Sequence, residues 1–306
     1  MLEAPVFDSR GAYAARLGDA AYWRPYAAAA LAACGLTVPT TFSSGFEGTY
    51  PTLLGDRLVV KLFGWFPGWR KSFETEVAAN RAVEQVDGLS APRVLAAGSL
   101  FPGADDDWPF LVSQRLRGQA WREVDLATRT AEAIAHDLGG QIRRLHDHPT
   151  GSLQLARADW LADHGREAHD RHRAWHSLPA RLIDEIPSYL RGYRPGRRCL
   201  VHGDLTEDHL FVAGSALIGI IDWGDAMVTD PCYDLGALHL GAFAGDHRLL
   251  GQFLDGYGWS RAEGFADQAL RVALMHEFDL LAPFSALAAG CSDLTSLAHH
   301  LWAPVR

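Results

Sequence analysis

The sequence predicts an α+β chain of two lobes: a small β-rich lobe carrying one helix, residues 1–114, and a larger, mostly helical lobe, residues 115–306. Three observations predict it. Short β-type runs separated by turn signals fill the first part of the chain, one helical pattern interrupts them, and near residue 115 the texture changes to helix-period sequence.

In chain order, the Ala-rich stretch from Ala27 to Leu36 is far short of the ~20 apolar residues a bilayer demands and reads as a packed helix, part of an N-terminal helical extension. Strands are expected in TTFSS from Thr40, TYPTLL from Thr49, RLVVKLF from Arg57, PRVLAAGSL from Pro92 and WPFLVSQRL from Trp108. Turn signals at Ser44-Gly45, Gly55-Asp56 and Pro102-Gly103 punctuate them. The inserted helix is KSFETEVAANRAVEQV from Lys71, with Phe73, Val77, Ala78, Val83 and Val86 recurring at helical spacing.

After Gly118, TAEAIAHDLGGQIRRLH from Thr130 places Ile134, Leu138, Ile142 and Leu145 on one stripe. Helices are expected at 156–175, 178–192, 231–255, 261–283 and 293–302. Three strands interrupt them, in RCLVHGD, HLFVAG and ALIGIIDW. Short strands with charged residues at their ends present side chains from a rigid frame.

The net charge of −9, from 28 basic and 37 acidic residues, argues against phosphate-backbone binding. Nucleic acid is therefore not an expected partner, and cationic or uncharged small molecules are. Cys34, Cys199, Cys232 and Cys291 form no CxxC pair and read as reduced thiols of a cytoplasmic protein. Glu3 and Asp8 fall early and no apolar core follows them, so neither a secretory leader nor a membrane span is expected.

Chemistry concentrates in VHGDLTEDHLFV, from Val201, and GIIDWGDAMVTDP, from Gly219. Alone, the first reads as a metal-hydrolase site, a phosphate-transfer site or a polar loop. Asp204, His209 and Asp222, at the ends of short strands, are expected to be neighbours. Paired carboxylates suit Mg²⁺ that also contacts substrate phosphates, and an aspartate left free of the metal can take a proton from an attacking hydroxyl.

Other parts of a phosphate-transfer site occur in order. Lys61 closes an apolar strand; by itself it reads as a charged edge residue, but with Glu76 fifteen positions later, favoured over Glu74, it reads as a phosphate-holding ammonium oriented by a helix carboxylate. Ser44 and Gly45, in SSGFEGTYP, offer backbone N–H groups to a phosphate, or make a plain hairpin. Gln114 and Leu116, where strand texture ends, offer backbone groups to a purine ring, or make an ordinary linker. A zinc site fits poorly, because His202 and His209 have neither H-x-H nor H-x-x-x-H spacing. A protein kinase fits poorly too, since D-F-G and A-P-E segments are lacking.

HGDLTEDH and GIIDWGDAMVTDP, supported by VVKLF, FETE and LVSQRLRG, resemble the aminoglycoside phosphotransferase family over about residues 40–240. The resemblance implies a bilobal protein-kinase-like fold and transfer of the γ-phosphate of ATP or GTP, with Mg²⁺, to a hydroxyl of an aminoglycoside antibiotic, conferring resistance. YWRPYAAAALAACGL, LMHEFDLLAPF and HHLWAP extend it toward members acting on hygromycin B, the acceptor implied first. Carried over, Asp204 is the catalytic aspartate, Lys61 and Glu76 are the phosphate-holding pair, and Asp222 and His209 are the metal ligands. His209 stands where asparagine is usual, although the 2″-phosphotransferases are similar in having histidine there.

A polycationic acceptor implies an acidic cleft, for which Glu207, Asp208, Asp225, Asp230, Glu277 and Asp279 are the candidates, the last two on the helix expected to contain MHEFDLL. A monomer or weak dimer is implied. The same parts also serve a macrolide, choline or sugar kinase, or a nucleotide-binding pseudokinase, because the acceptor is chosen by the second lobe's helices.

Overall fold

The computed structural model describes residues 2–45, 48–104, 107–150, 155 and 160–303. The chain forms two compact units, one of residues 1–85, 91–117 and 222–225, the other of 86–90, 118–221 and 226–306.

The first unit opens with helices α1 (Arg10–Leu17) and α2 (Ala20–Ala33). Both have side-chain N-caps: Ser9 Oγ accepts from the Ala12 amide at 3.1 Å, and Asp19 Oδ1 from the Tyr22 amide at 3.0 Å. Strands β1 (Ser43–Ser44), β2 (Thr52–Leu54), β3 (Leu58–Leu62), β4 (Val94–Ser99) and β5 (Pro109–Gln114) make an antiparallel sheet in the order β1-β2-β3-β5-β4. The first strand is shorter than expected because Ser43 already pairs with Leu54, the last residue of β2, so Thr40 to Phe42 run past the end of their partner.

Strand periodicity sets the chemistry of β3. Leu58, Val60 and Leu62 point into a core shared with Tyr13, Trp23 and Leu31 of the N-terminal segment and with Trp108, Phe110 and Val112. Lys61 points to the opposite face, toward helix α3 (Trp69–Val83), where Tyr50, Phe63 and Leu111 pack against Phe73 and Val77. A one-residue slip of β3 would turn the lysine into the apolar core, so packing specifies the register.

The second unit contains α4 (Thr128–Asp147), α5 (Trp160–Trp175) and α6 (Ala180–Leu190). Its strands are β6 (Gln119–Ala120), β7 (Cys199–Val201), β8 (Leu210–Ala213), β9 (Ala216–Ile220) and β10 (Met227–Thr229). They form a β6-β8-β9 sheet and a β10-β7 pair in which Met227 faces Val201. The chain then passes through α7 (Cys232–Ala237), a π-type turn at Leu238–Ala242, α8 (His247–Tyr257), α9 (Phe265–Leu274), α10 (Ser285–Gly290) and α11 (Leu294–Trp302).

Two expected helices are broken. The one at 231–255 is interrupted after the π-type turn, where Ala244 and Gly245 take left-handed φ of 47° and 76° and Asp246 restarts the helix by accepting from the Arg248 amide at 2.8 Å. The one at 261–283 stops at Leu274, and the His276 ring accepts from the Phe278 amide at 3.2 Å, so Glu277 and Asp279 lie in the turn after α9 rather than on a helix. Residues 156–159 of another expected helix lie outside the described residues.

Helices α4 and α8 cross backbone to backbone. A Cβ on Gly139 would stand 2.2 Å from the Phe253 carbonyl oxygen, and one on Gly256 1.9 Å from that of His136, so only glycine fits at either position. This close crossing sets His146, near the end of α4, against Tyr257, the last residue of α8. Among the described residues no helix is long and apolar enough to cross a membrane.

Candidate active site

In the first unit, Lys61 Nζ donates to Glu76 Oε2 at 2.8 Å and to Asp222 Oδ1 at 2.9 Å. The Glu76 side chain is 7% exposed and that of Asp222 40%, so one carboxylate is internal and the other faces solvent. The ammonium also lies 5.4 Å from the Phe63 ring centroid, a favourable cation–π distance. Burial works against charge on both Lys61 and Glu76. It pushes the Glu76 carboxyl up to about 7 despite the pull of Lys61, whereas at Lys61 it is outweighed by Asp222 and Glu76, so the ammonium is the better-held charge. Asp222 follows β9 at a left-handed φ of 62°, which aspartate tolerates better than most residues, and the buried Trp223 ring follows it.

The other first-unit candidates are used within the sheet. The Gly45 amide donates to the Thr52 carbonyl at 2.7 Å, closing the β1-β2 hairpin, with Ser44 paired to Leu53. The Gln114 amide donates to the Arg93 carbonyl at 2.8 Å, and half-buried Leu116 follows just before the unit ends at Arg117. Phe46 and Glu47 of SSGFEGTYP lie outside the described residues.

In the second unit, β7 delivers the H-G-D turn. His202 Nε2 donates to the Ile221 carbonyl at 2.8 Å, which makes Nδ1 the acceptor for the Asp204 amide at 3.2 Å. With both ring nitrogens used inside the protein, His202 is a brace and not a metal ligand. Gly203 takes φ 92°, a conformation that disfavours side chains, and turns the chain so that Asp204 is partly exposed while Leu205 is buried. His209 Nδ1 donates to the Asp204 carbonyl at 2.6 Å. Asp204 and His209 are thus brought together as expected, while Asp222 belongs to the unit that holds Lys61 and Glu76.

The expected acceptor carboxylates separate by environment. Asp208 Oδ1 takes Arg122 Nε at 2.6 Å, and Asp279 accepts from Ser177 Oγ at 3.0 Å. Asp230 is buried and accepts from the Gly196 and Cys232 amides at 2.8 and 2.9 Å, the second being the first amide of α7. Glu207 is half-buried against Gly241, Asp225 lies on the short turn with Trp223, and Glu277 follows buried His276. Among the described residues no group of three or more histidines, cysteines or carboxylates is arranged to hold a metal by itself.

Sequence reasoning missed Asp234. Its Oδ2 accepts from the His202 amide at 3.0 Å and its Oδ1 from the Gly203 amide at 2.9 Å, so a buried carboxylate on α7 grips the backbone that presents Asp204. Burial alone would raise its pKa; the hydrogen bond from His146, the nearby His146 and His202 imidazoles and the Gly203 amide outweigh burial and hold it below the usual carboxylate range. The available signal was a lone acid inside the apolar run CYDLGALHL, where burial requires a partner.

The chain aligns with the GDP and kanamycin complex of APH(2″)-IIia at TM-score 0.67 and 20% identity, covering 90% of this chain and 95% of that one. It aligns with the macrolide 2′-phosphotransferase MphH of Brachybacterium faecium at TM-score 0.62 and 18% identity, covering 93% and 99%. A thermostable mutant of aminoglycoside phosphotransferase APH(4)-Ia aligns at TM-score 0.58 and 14% identity, covering 85% and 94%. Among curated proteins, the lysine-specific demethylase JMJ21 of Arabidopsis thaliana is 23% identical over 230 residues, 58% of this chain and 24% of that protein, so this chain spans about a quarter of that relative's length. The fold is therefore the kinase-like fold of the aminoglycoside phosphotransferases. Residues 14–268 match the family described as the phosphotransferase enzyme family, and the chain belongs to it.

Proposed function

We propose that the protein transfers the γ-phosphoryl group of a nucleoside triphosphate, ATP or GTP, to a hydroxyl of an aminoglycoside, with hygromycin B the first acceptor to test. The observation that carries the reading is Lys61 held between Glu76 and Asp222 in a chain whose H-G-D turn presents a partly exposed, braced Asp204.

The roles follow from the chemistry of the groups. Lys61, kept charged by its two carboxylates, holds the donor's phosphate oxygens. Asp204 accepts the proton of the acceptor hydroxyl as its oxygen bonds to the γ-phosphorus and the bond to the nucleoside diphosphate breaks. The carboxylate of Asp222 and the imidazole of His209 would be the protein ligands of two Mg²⁺ ions, a metal that uses few protein ligands and takes the rest from phosphates and water. When bound, Mg²⁺ would neutralise the triphosphate charge. The net charge of −9 favours encounter with a polycation, for which Glu207, Asp208, Asp225, Asp230, Glu277 and Asp279 are the candidate carboxylates, with Asp208, Asp230 and Asp279 also bonded to partners within the protein. The nucleotide base would meet the chain at Gln114 and Leu116, through groups other than the Gln114 amide.

Likeness to a macrolide 2′-phosphotransferase favours a neutral macrolide as the second acceptor class. The deciding experiment measures nucleoside diphosphate release with ATP and with GTP across aminoglycosides, aminocyclitols and macrolides. Acceptor-dependent release with an aminoglycoside supports the reading, and release with macrolides alone moves the protein to the second class. Absence of release with every acceptor refutes both.

A further inference from the structure

The Asp234 carboxylate that grips the H-G-D backbone is itself held from behind. His146 Nε2 reaches Asp234 Oδ2 at 3.0 Å, His146 Nδ1 reaches the Tyr257 hydroxyl at 2.9 Å, and Arg197 Nη2 donates to that hydroxyl at 3.3 Å. Arg197 in turn pairs with Asp147 at 2.6 Å, and Asp147 also takes Arg143. The run from this surface ion cluster to the peptide groups beside Asp204 lies wholly within the second unit.

For a neutral imidazole the donors and acceptors permit one ordering; an imidazolium would instead donate from both nitrogens, to Tyr257 and to Asp234, and hold the same contacts. An ionised Asp234 only accepts, so His146 Nε2 carries the proton between them. The Tyr257 oxygen accepts from Arg197, which only donates, and its own hydrogen then points to His146 Nδ1. With the neutral ring each bond therefore has a direction: Arg197 to Tyr257, Tyr257 to His146, His146 to Asp234. The last carboxylate accepts from the His202 and Gly203 amides as well. His146 and Asp234 are almost wholly buried, so a group left without its partner there has no water to replace it. The glycine-only crossing of α4 and α8 fixes the spacing of His146 and Tyr257, and their rings meet edge to face at 5.6 Å.

We infer that His146 and Tyr257 are positioning residues for phosphoryl transfer, acting through Asp234 to hold the His202 and Gly203 peptides and hence the Asp204 carboxylate. The inference rests on the reading of Asp204 as the base. Neither residue needs to touch substrate. Losing the Tyr257 hydroxyl leaves His146 Nδ1 buried without its partner, and losing the imidazole removes a donor from Asp234. In either case the grip on the H-G-D peptides loosens. Small displacements of a reacting group cost about 10²-fold in rate per ångström, so a partial loosening is expected to cost about ten-fold.

The test uses the full chain with Tyr257→Phe, His146→Leu and His146→Gln. Two measurements are made: amide hydrogen exchange over 199–205, and steady-state kinetics with nucleoside triphosphate and aminoglycoside. In the Tyr257→Phe and His146→Leu proteins, exchange at His202 and Gly203 is expected to speed about ten-fold while the α4 and α8 amides keep their protection. The kcat is expected to fall about ten-fold with both KM values within about two-fold, a loss in the transition state rather than in binding. His146→Gln, which retains an N–H donor, is expected to recover part of both effects. Unchanged exchange at His202 and Gly203 in both variants overturns the inference, whether or not the protein transfers phosphate. Faster exchange with unchanged kcat overturns the positioning role. Absence of transfer in the unmodified protein, or full activity in Asp204→Asn, refutes the functional reading instead, and exchange alone then decides whether the grip exists.

Discussion

Lys61 and Asp222, separated by 161 positions in the chain, meet at 2.9 Å in the first unit. The same ammonium reaches Glu76 at 2.8 Å, so deleting it leaves two carboxylates facing one another, one of them internal. Lys61→Met is expected to destabilise the protein by about 2–3 kcal/mol, below the about 3–5 kcal/mol of a fully buried broken pair because Asp222 is partly solvated. Adding Glu76→Met is expected to restore part of that loss. Urea unfolding of both single variants and the double variant measures the coupling. Both Lys61→Met proteins should bind nucleotide weakly.

Asp204→Asn keeps the shape of the side chain and removes its basicity. The expected result is a kcat reduced ~10²-fold or more, the scale of a lost general base. Nucleotide affinity, read by calorimetry, should stay within about two-fold. An affinity loss matching the kcat loss would place Asp204 in binding rather than in proton transfer.

His209 donates from Nδ1 to the Asp204 carbonyl, and an asparagine there presents an amide that can make the same kind of donation. His209→Asn would replace an imidazole nitrogen ligand with an amide oxygen, which suits a harder cation. The ratio of kcat/KM in Mg²⁺ to that in Mn²⁺ is expected to rise in the variant. An unchanged ratio removes His209 from the metal site.

The α4–α8 crossing gives a paired stability test. Gly256→Ala places a methyl 1.9 Å from the His136 carbonyl oxygen, and relief requires the helices to separate. A loss of about 3 kcal/mol, at the upper end for overpacking, is expected. Gly251, on the same helix with nothing within 4 Å of its added Cβ, is the control. Gly251→Ala should stabilise by about 0.5–1 kcal/mol through helix propensity. Thermal melts of the two variants should move in opposite directions.

Buried histidines set an acid limit. Burial lowers His239 to about 4 and His276 to about 3, and lowers His172 as well. Each is neutral in the folded protein where the unfolded chain, with an ordinary histidine near pH 6.5, already binds a proton. Their stabilising contribution is therefore complete above about pH 6.5 and is lost as pH falls toward 4. The melting temperature should drop over that interval. Replacing His239, whose Nε2 donates to the Leu301 carbonyl at 2.7 Å, by glutamine should flatten the drop.

Much of this was legible in the sequence because it rests on local pattern. The apolar run RLVVKLF marks a strand that ends near Lys61, and Glu76 stands fifteen positions later in a helical pattern; the structure pairs Lys61 with Glu76. The H-G-D segment was legible because His202 and Asp204 flank the glycine whose left-handed φ makes the turn. Features depending on distant partners were not. Helical periodicity continues through Phe243 to Asp246, and only the backbone at Ala244 and Gly245 breaks it. The partners of Asp208 and Asp279, Arg122 and Ser177, stand 86 and 102 positions away, beyond the reach of local pattern. His146 and Asp234 lay in segments read only for their apolar stripes, and their bond joins positions 88 apart.

Residues 222–225 complete the first unit although they are reached only after most of the second, and residues 86–90 go the other way. During synthesis the ribosome therefore delivers Lys61 and Glu76 well before Asp222 exists. The nascent first unit waits with its ammonium half-countered until four late residues arrive. A gene cut after codon 117 would encode a permanently unfinished unit, so split-reporter or domain-dissection schemes for this chain have no clean cut at its apparent seam.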